Sequence, residues 1–381
     1  MEKARGTTIV MKIMFQIYSF HMGGIERLLL DMSHAMVQRG HSVSVCIINH
    51  DYTDSLLNCF DPSVSVILLN RRPGSSLLPY MKQFASIIAK MDIDILHCQG
   101  INCVIFSSIA KLRNPRMKVL NTVHDTGNYP SYSNSKIFLQ NLFLDETIAI
   151  SQSVEREILA RHISPDHVTL IYNGVNTHHF TCAENITLKM RSRILSSDSV
   201  IEICNVARFF PSKKGQDLLV AAISQLIPEF PNIHCTFAGD IFKGQDKAYA
   251  DLIHSIQEQG IESHFTFLGN VEDVPSLLHK MDIFVLPSRY EGFGISLIEA
   301  MSCGLPCIAS NLSGPAEIIQ DSSLGFLFDP GSLRDLTEKL RLLIRHYHSF
   351  NPHHISNYIQ CNFSMDHMVD EHLALYQRLL H

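Results

Sequence analysis

The chain alternates short apolar runs with longer amphipathic ones. In the first half, runs at 11–18, 42–48, 64–69, 93–98, 117–123, 146–150 and 168–172 have strand length and composition. Between the first two, Ile25, Leu28, Leu29, Met32, Ala35 and Met36 recur at helical spacing, which predicts an amphipathic helix over 24–39. Further helices are expected over 77–91, 102–112, 134–144 and 151–162. The second half repeats the plan, with strands at 200–207, 233–238, 264–268, 282–286 and 306–309. Its helices are expected at 213–227, 246–259, 274–280, 296–303 and 314–320, and the tail from about 332 reads as helical. Strands that alternate with helices at this rhythm predict an α/β fold with parallel sheets covered on both faces. YNGVNTHHF (172–180) and the polar, poorly patterned 181–199 mark the expected boundary between two such domains.

Composition narrows the picture. A length of 381 residues suits two domains, and 46% apolar residues can fill two cores. A net charge of −6 argues against a nucleic-acid binder driven by phosphate attraction. No run of 18 apolar residues appears, so no spanning helix is expected. The N-terminal IVMKIMFQIYSF is strand-like and shows no signal-peptide cleavage pattern. Ten cysteines without a CxxC pair read as reduced, buried thiols, and a cytoplasmic protein is expected. The 21 histidines lack the ligand clustering of a zinc site. The basic and apolar segment 71–91 suits an ordinary sheet-covering helix better than a membrane-docking surface, although peripheral contact with the inner face of a membrane stays open.

The chemistry concentrates at Glu291-Gly292-Phe293-Gly294-Ile295-Ser296-Leu297-Ile298-Glu299. This run joins a strand (DIFVLP) to a helix (SLIEAMSC). Unpaired amides of a first helical turn attract phosphate, and a carboxylate on either side could grip hydroxyls. E-x7-E after a strand, followed by AMSCGLPCIAS and GPAEII, resembles the retaining family-4 glycosyltransferases. The opening GGIERLLLDMSHAMVQRGHSVSV is similar to theirs as well. The resemblance runs from Met11 to the tail and is strongest over 201–330. It implies GT-B architecture, two Rossmann-like doubly wound domains facing across a cleft. Residues 1–175 would bind the acceptor and 176–355 the nucleotide sugar, with a helix over 356–381 crossing back to the first domain.

The resemblance also implies roles. Glu291 would orient the transferred sugar, with Gly292, Phe293 and Gly294 nearby, and Glu299 would hold the ribose. Arg208, at the end of IEICNVARFF, and a lysine would stabilise the departing diphosphate without a metal ion. Spacing from the arginine selects Lys213, whereas Lys214 precedes Gly215 as the family lysine often does. His124, ending MKVLNTVH, would contact the sugar. Gly23 and Gly24 would bring backbone close to the donor, and Gly239 and Asp240 would border the nucleotide. Asn173-Gly174 matches a family turn, and LGNVEDVP (268–275) resembles the loop behind the base. Asp92-Ile93-Asp94 has the form of a metal-binding D-x-D but precedes its strand, the wrong end for a ligand crevice.

These features point to a metal-independent, retaining hexosyltransferase that needs no cofactor. It would move a sugar from a nucleotide-sugar donor, with UDP the expected nucleotide, to a saccharide or glycolipid acceptor in polysaccharide, lipopolysaccharide or other glycoconjugate synthesis. A nucleotide-sugar epimerase of GT-B shape would turn over donor alone. A non-catalytic sugar-binding protein would not need the Arg208–lysine pair.

Overall fold

The computed structural model describes residues 10–161, 163–183 and 199–381. Most of the expected polar link 181–199, and His162 at the end of an expected helix, lie outside the described residues. The chain divides into two compact units, one up to Asn173 with Met365–His381, the other Gly174–Ser364.

The first unit is built on seven strands. They are β1 (Lys12–Ile17), β2 (Ser42–Asn49), β3 (Ser65–Arg71), β4 (Ile95–Cys98), β5 (Lys118–Val123), β6 (Glu146–Ala149) and β7 (Val168–Leu170), in the order β3-β2-β1-β4-β5-β6-β7. All the pairings are parallel. Parallel strands covered on both faces must be apolar along their length, and β1, β2, β4 and β5 are buried almost throughout. Helix Gly24–Gln38 buries Leu28, Leu29, Met32 and Met36, the stripe that the sequence spacing predicts. Helix Leu77–Met91 turns Phe84, Ala85 and Ile88 into the core, so most of the apolar face of 71–91 covers the sheet. The last helix, Met365–Leu380, packs on Gly24–Gln38. There Arg39 pairs with Asp366 at 2.8 Å and Asp370 at 2.9 Å.

The second unit carries β8 (Ile201–Val206), β9 (Ile233–Ala238), β10 (Phe265–Phe267), β11 (Ile283–Leu286), β12 (Cys307–Ser310) and β13 (Gly325–Phe328), in the order β10-β9-β8-β11-β12-β13. These pairings are parallel too. The unit boundaries fall at 173/174 and 364/365, against the expected 175/176 and 355/356. Helix Pro352–Asn362 packs on Ile295–Ser302, and the amide of Val175 donates to Phe363 O, so both segments stay with the second unit. β13 was not expected. The expected helix 213–227 is two, Pro211–Lys214 and Gln216–Leu226, split at Gly215.

Each sheet winds outward in two directions from its middle. In the first unit the direction changes between β1 and β4, and in the second between β8 and β11. At such a switch point the loops leaving the carboxyl ends of neighbouring strands diverge and open a crevice. No helix among the described residues is long and apolar enough to cross a membrane.

Candidate functional site

In the second unit, Arg208 leaves β8 and Ser288–Glu291 leave β11, on either side of the switch point. Asn205 Nδ2 donates to Val285 O at 2.9 Å across the two strands. The amides of Arg289 and Tyr290 both donate to Lys213 O, at 2.8 and 3.3 Å. The Arg289 guanidinium grips both oxygens of Asp217, at 2.7 and 2.8 Å, and donates to Pro211 O at 2.6 Å. The loop after β11 is therefore strapped to the helices that follow β8. That strap places Lys214 Nζ 2.8 Å from Glu291 Oε2, which also accepts from Ser288 Oγ at 3.1 Å. The two side chains are only 23% and 14% exposed, a setting in which the pairing is less screened than at an open surface. Lys214, rather than Lys213, is the lysine on Glu291. Ser288, Arg289 and Asp217 belong to no motif, and only their contacts reveal them.

Gly294 (φ +108°) caps helix Ile295–Ser302 without any capping side chain, so its first amides stay available. Gly314 backs the loop so closely that a Cβ there would lie 2.5 Å from Phe293 Cα. Phe293 is buried, its ring 5.7 Å from that of Phe363. These contacts hold Gly292–Gly294 in place at the helix start. Glu299 lies on the next turn and is half-buried. At the end of β9, the Gly239 amide donates to Gly269 O at 2.7 Å, and Asp240 is exposed, its carbonyl accepting from the Phe209 amide at 2.8 Å. A cavity here is lined by Phe209, Gln216, Phe237, Gly239 and Tyr249. The structure thus gathers Arg208, Lys213, Gly239, Asp240, Gly292, Phe293, Gly294, Glu291 and Glu299 on the loops and helix starts that follow β8, β9 and β11.

In the first unit, Gly23 and Gly24 follow β1 and open helix Gly24–Gln38. Gly23 is extended (φ −174°), so its backbone shape does not demand glycine. His124 follows β5 and Gln99 follows β4. They line a small cavity together with Ile25, Leu28, His97 and His372. His124 Nε2 is 2.6 Å from Gln99 Oε1, and its buried Nδ1 has no hydrogen-bond partner. His97 lies 2.6 Å from both Tyr376 OH and Thr122 Oγ1. Burial lowers His124 and His372 to about 4 and pushes His97 well down, so all three rings are neutral at pH 7.

This buried group makes the first unit acid-sensitive. His372 titrates near 4 when folded and at its ordinary 6.5 when unfolded. The unfolded chain therefore takes up the proton first as pH falls. The stabilisation is complete above 6.5, is lost between 6.5 and about 4, and changes no further below that. His372 alone accounts for on the order of 3 kcal/mol over that window. Melting temperatures from pH 7.5 to 4.5 should fall more steeply for the wild type than for His372→Leu, and equal slopes would remove His372 from the account.

The D-x-D carboxylates are engaged elsewhere. Asp92 pairs with Lys12 Nζ at 2.8 Å, and Asp94 accepts from the Lys12 amide at 2.8 Å. Among the described residues no cluster of three His, Cys, Asp or Glu is placed to hold a metal ion. All ten cysteines are free.

Residues 22–179 match Glycosyltransferase Family 4, and residues 188–359 match Glycosyl transferases group 1, together well over half of the chain. The chain is 25% identical over 340 residues to N-acetyl-alpha-D-glucosaminyl L-malate synthase of Bacillus anthracis, covering 85% of each. It is 27% identical over 288 residues to UDP-Gal:alpha-D-GlcNAc-diphosphoundecaprenol alpha-1,3-galactosyltransferase of Escherichia coli, covering 71% of each. Among solved structures, Anabaena Alr3699/HepE in complex with UDP superposes with a TM-score of 0.82 at 22% identity, covering 97% of this chain and 100% of that one.

Proposed function

The chain belongs to the family-4 glycosyltransferases, with two Rossmann-like units of the GT-B kind, and from that premise we propose that it transfers a sugar from a UDP-activated donor to a saccharide or glycolipid hydroxyl, with retention and without a metal ion. The observation that carries this reading is the Lys214–Glu291 pair, strapped beside an uncapped helix start at the switch point of the second sheet. Lys214 has three N–H donors and uses one on Glu291, so it can also hold a phosphate oxygen. Arg208 and Lys213 add positive charge after the same strand, and the amides of the Gly294 turn add dipoles. A fixed cationic cradle of this kind can stabilise a departing diphosphate in place of a divalent ion. Glu291 orients the sugar, and Glu299 holds the ribose. In the first unit, His124 accepts from a sugar hydroxyl through its bare Nδ1.

Retention in glycosidases uses a carboxylate nucleophile close to the anomeric carbon. No motif supplies one here, so the acceptor is read as attacking on the face from which the diphosphate leaves, with the leaving phosphate taking the acceptor's proton. UDP follows the Anabaena complex and the E. coli enzyme, whose names carry that nucleotide. The name of the E. coli enzyme carries a diphosphoundecaprenol-linked GlcNAc, which makes a lipid-linked saccharide the first acceptor to try, and such an acceptor would bring the protein to a membrane surface.

The test is calorimetric titration with UDP, followed by transfer assays with UDP-hexoses and UDP-N-acetylhexosamines. UDP should bind equally well with and without EDTA. Lys214→Ala should weaken UDP binding by about tenfold or more, the loss of a charge-assisted hydrogen bond. Lys213→Ala should cost less than Lys214→Ala. Loss of binding on chelation, or an indifferent Lys214, would overturn this site assignment.

A further inference from the structure

The first-unit cavity holds a geometry that the family roles do not account for. A glutamine amide oxygen has lone pairs and no proton. The 2.6 Å contact between Gln99 Oε1 and His124 Nε2 therefore requires the proton on Nε2. A neutral imidazole carries only one, so Nδ1 is a bare acceptor, and that atom is buried on the cavity wall without a partner. The pair arises from topology. Gln99 follows β4, His124 follows β5, and these strands are neighbours with His97 opposite Leu120. The Gln99 amide is itself tied to Gln16 O of β1 at 2.9 Å, across the switch point.

We propose that Gln99 is a positioning residue: it locks His124 as the Nε2–H tautomer and leaves Nδ1 as a bare acceptor, which selects a donor sugar that presents a hydroxyl, rather than a carboxylate, to that atom. The selection rests on the reading that His124 meets the transferred sugar. A hydroxyl can donate to a lone pair, whereas an ionised carboxylate facing it meets repulsion and has no proton to share. His97 on β4 and His372 on the last helix are neutral rings, whereas Asp125, the next residue in the chain, is a carboxylate and favours the second proton. Burial of His124 itself keeps its second proton off.

Long-range 1H–15N correlation of the full chain with 15N-labelled histidine reads the tautomer directly, with His124→Asn assigning the signal. Wild type should show His124 protonated on Nε2 alone at pH 7. Gln99→Leu should mix the two tautomers and lower kcat/KM with UDP-glucose by about tenfold, the loss of one oriented hydrogen bond. Gln99→Glu keeps the shape but places a carboxylate on the N–H. It should raise the His124 titration above its buried value of about 4, and at pH values below the raised titration Nδ1 becomes a donor and the ratio of UDP-glucuronate to UDP-glucose turnover rises. A structural role alone would leave that ratio unchanged. His124 protonated on Nδ1 in the wild type, or a tautomer unchanged in Gln99→Leu, overturns the positioning role whatever the enzyme transfers. The expected tautomer with no transfer from any UDP-sugar instead overturns the functional reading and the hydroxyl selection that rests on it.

Discussion

Glu291→Gln is expected to lower kcat/KM for transfer by about two to three orders of magnitude, the scale on which a single preorganised polar contact acts. UDP affinity should be unchanged or slightly tighter in the same protein. Both effects trace to one contact. Glu291 shares an oxygen between Lys214 Nζ at 2.8 Å and Ser288 Oγ at 3.1 Å, which fixes the plane of its carboxylate. The amide keeps the shape but loses the charge that orients sugar hydroxyls. It also frees Lys214 for phosphate. The fold should survive, since the Arg289–Asp217 fork and the Lys213 carbonyl still hold the loop. Transfer within threefold of wild type, measured beside unaltered UDP binding, would remove Glu291 from the mechanism.

Gly215→Ala should be among the most damaging small substitutions in the second unit. Gly215 has φ +73° between two helices, and a Cβ there would lie 2.0 Å from Pro287 O, at the end of β11. The left-handed conformation costs an alanine about 1–2 kcal/mol. The steric clash is larger, because a strand-end carbonyl cannot turn aside as a flexible side chain can. A total near or above 4 kcal/mol is expected, in the range of severe single substitutions. Gly260→Ala is the control, for Gly260 has φ +65° with nothing within 4 Å of the added Cβ. Its cost should be the conformational part alone. Urea midpoints for the two variants measure the difference, and equal midpoints would mean that the close approach to Pro287 is unimportant. Any shift that relieves the clash also moves Lys214, the preceding residue, so surviving Gly215→Ala protein should bind UDP more weakly.

The strands were legible because a sheet covered on both faces needs apolar residues along its whole length, and such runs stand out at β1, β2, β5, β8 and β9. The edge strand β13 did not stand out. Gly215 was visible as a glycine, but its splitting of a helix was not, because the split is imposed by Pro287, which is distant in sequence. Helix Leu77–Met91 shows the reverse case. Its apolar stripe was readable, and packing showed that Phe84, Ala85 and Ile88 are spent on the core.

Sequence alone determined the fold class and the family, because spacing along a chain records local periodicity and short motifs such as E-x7-E. It could not choose between Lys213 and Lys214, since adjacent helical residues point about 100° apart and both suit a cation. Tertiary structure strapped the loop after β11 to the Lys213 carbonyl and so brought Lys214, not Lys213, onto Glu291. It also joined Gln99 to His124 and brought His372 from the far end of the chain to the wall of their cavity. Those pairings depend on strand order and on the path of the last helix, and neither leaves a trace in local spacing.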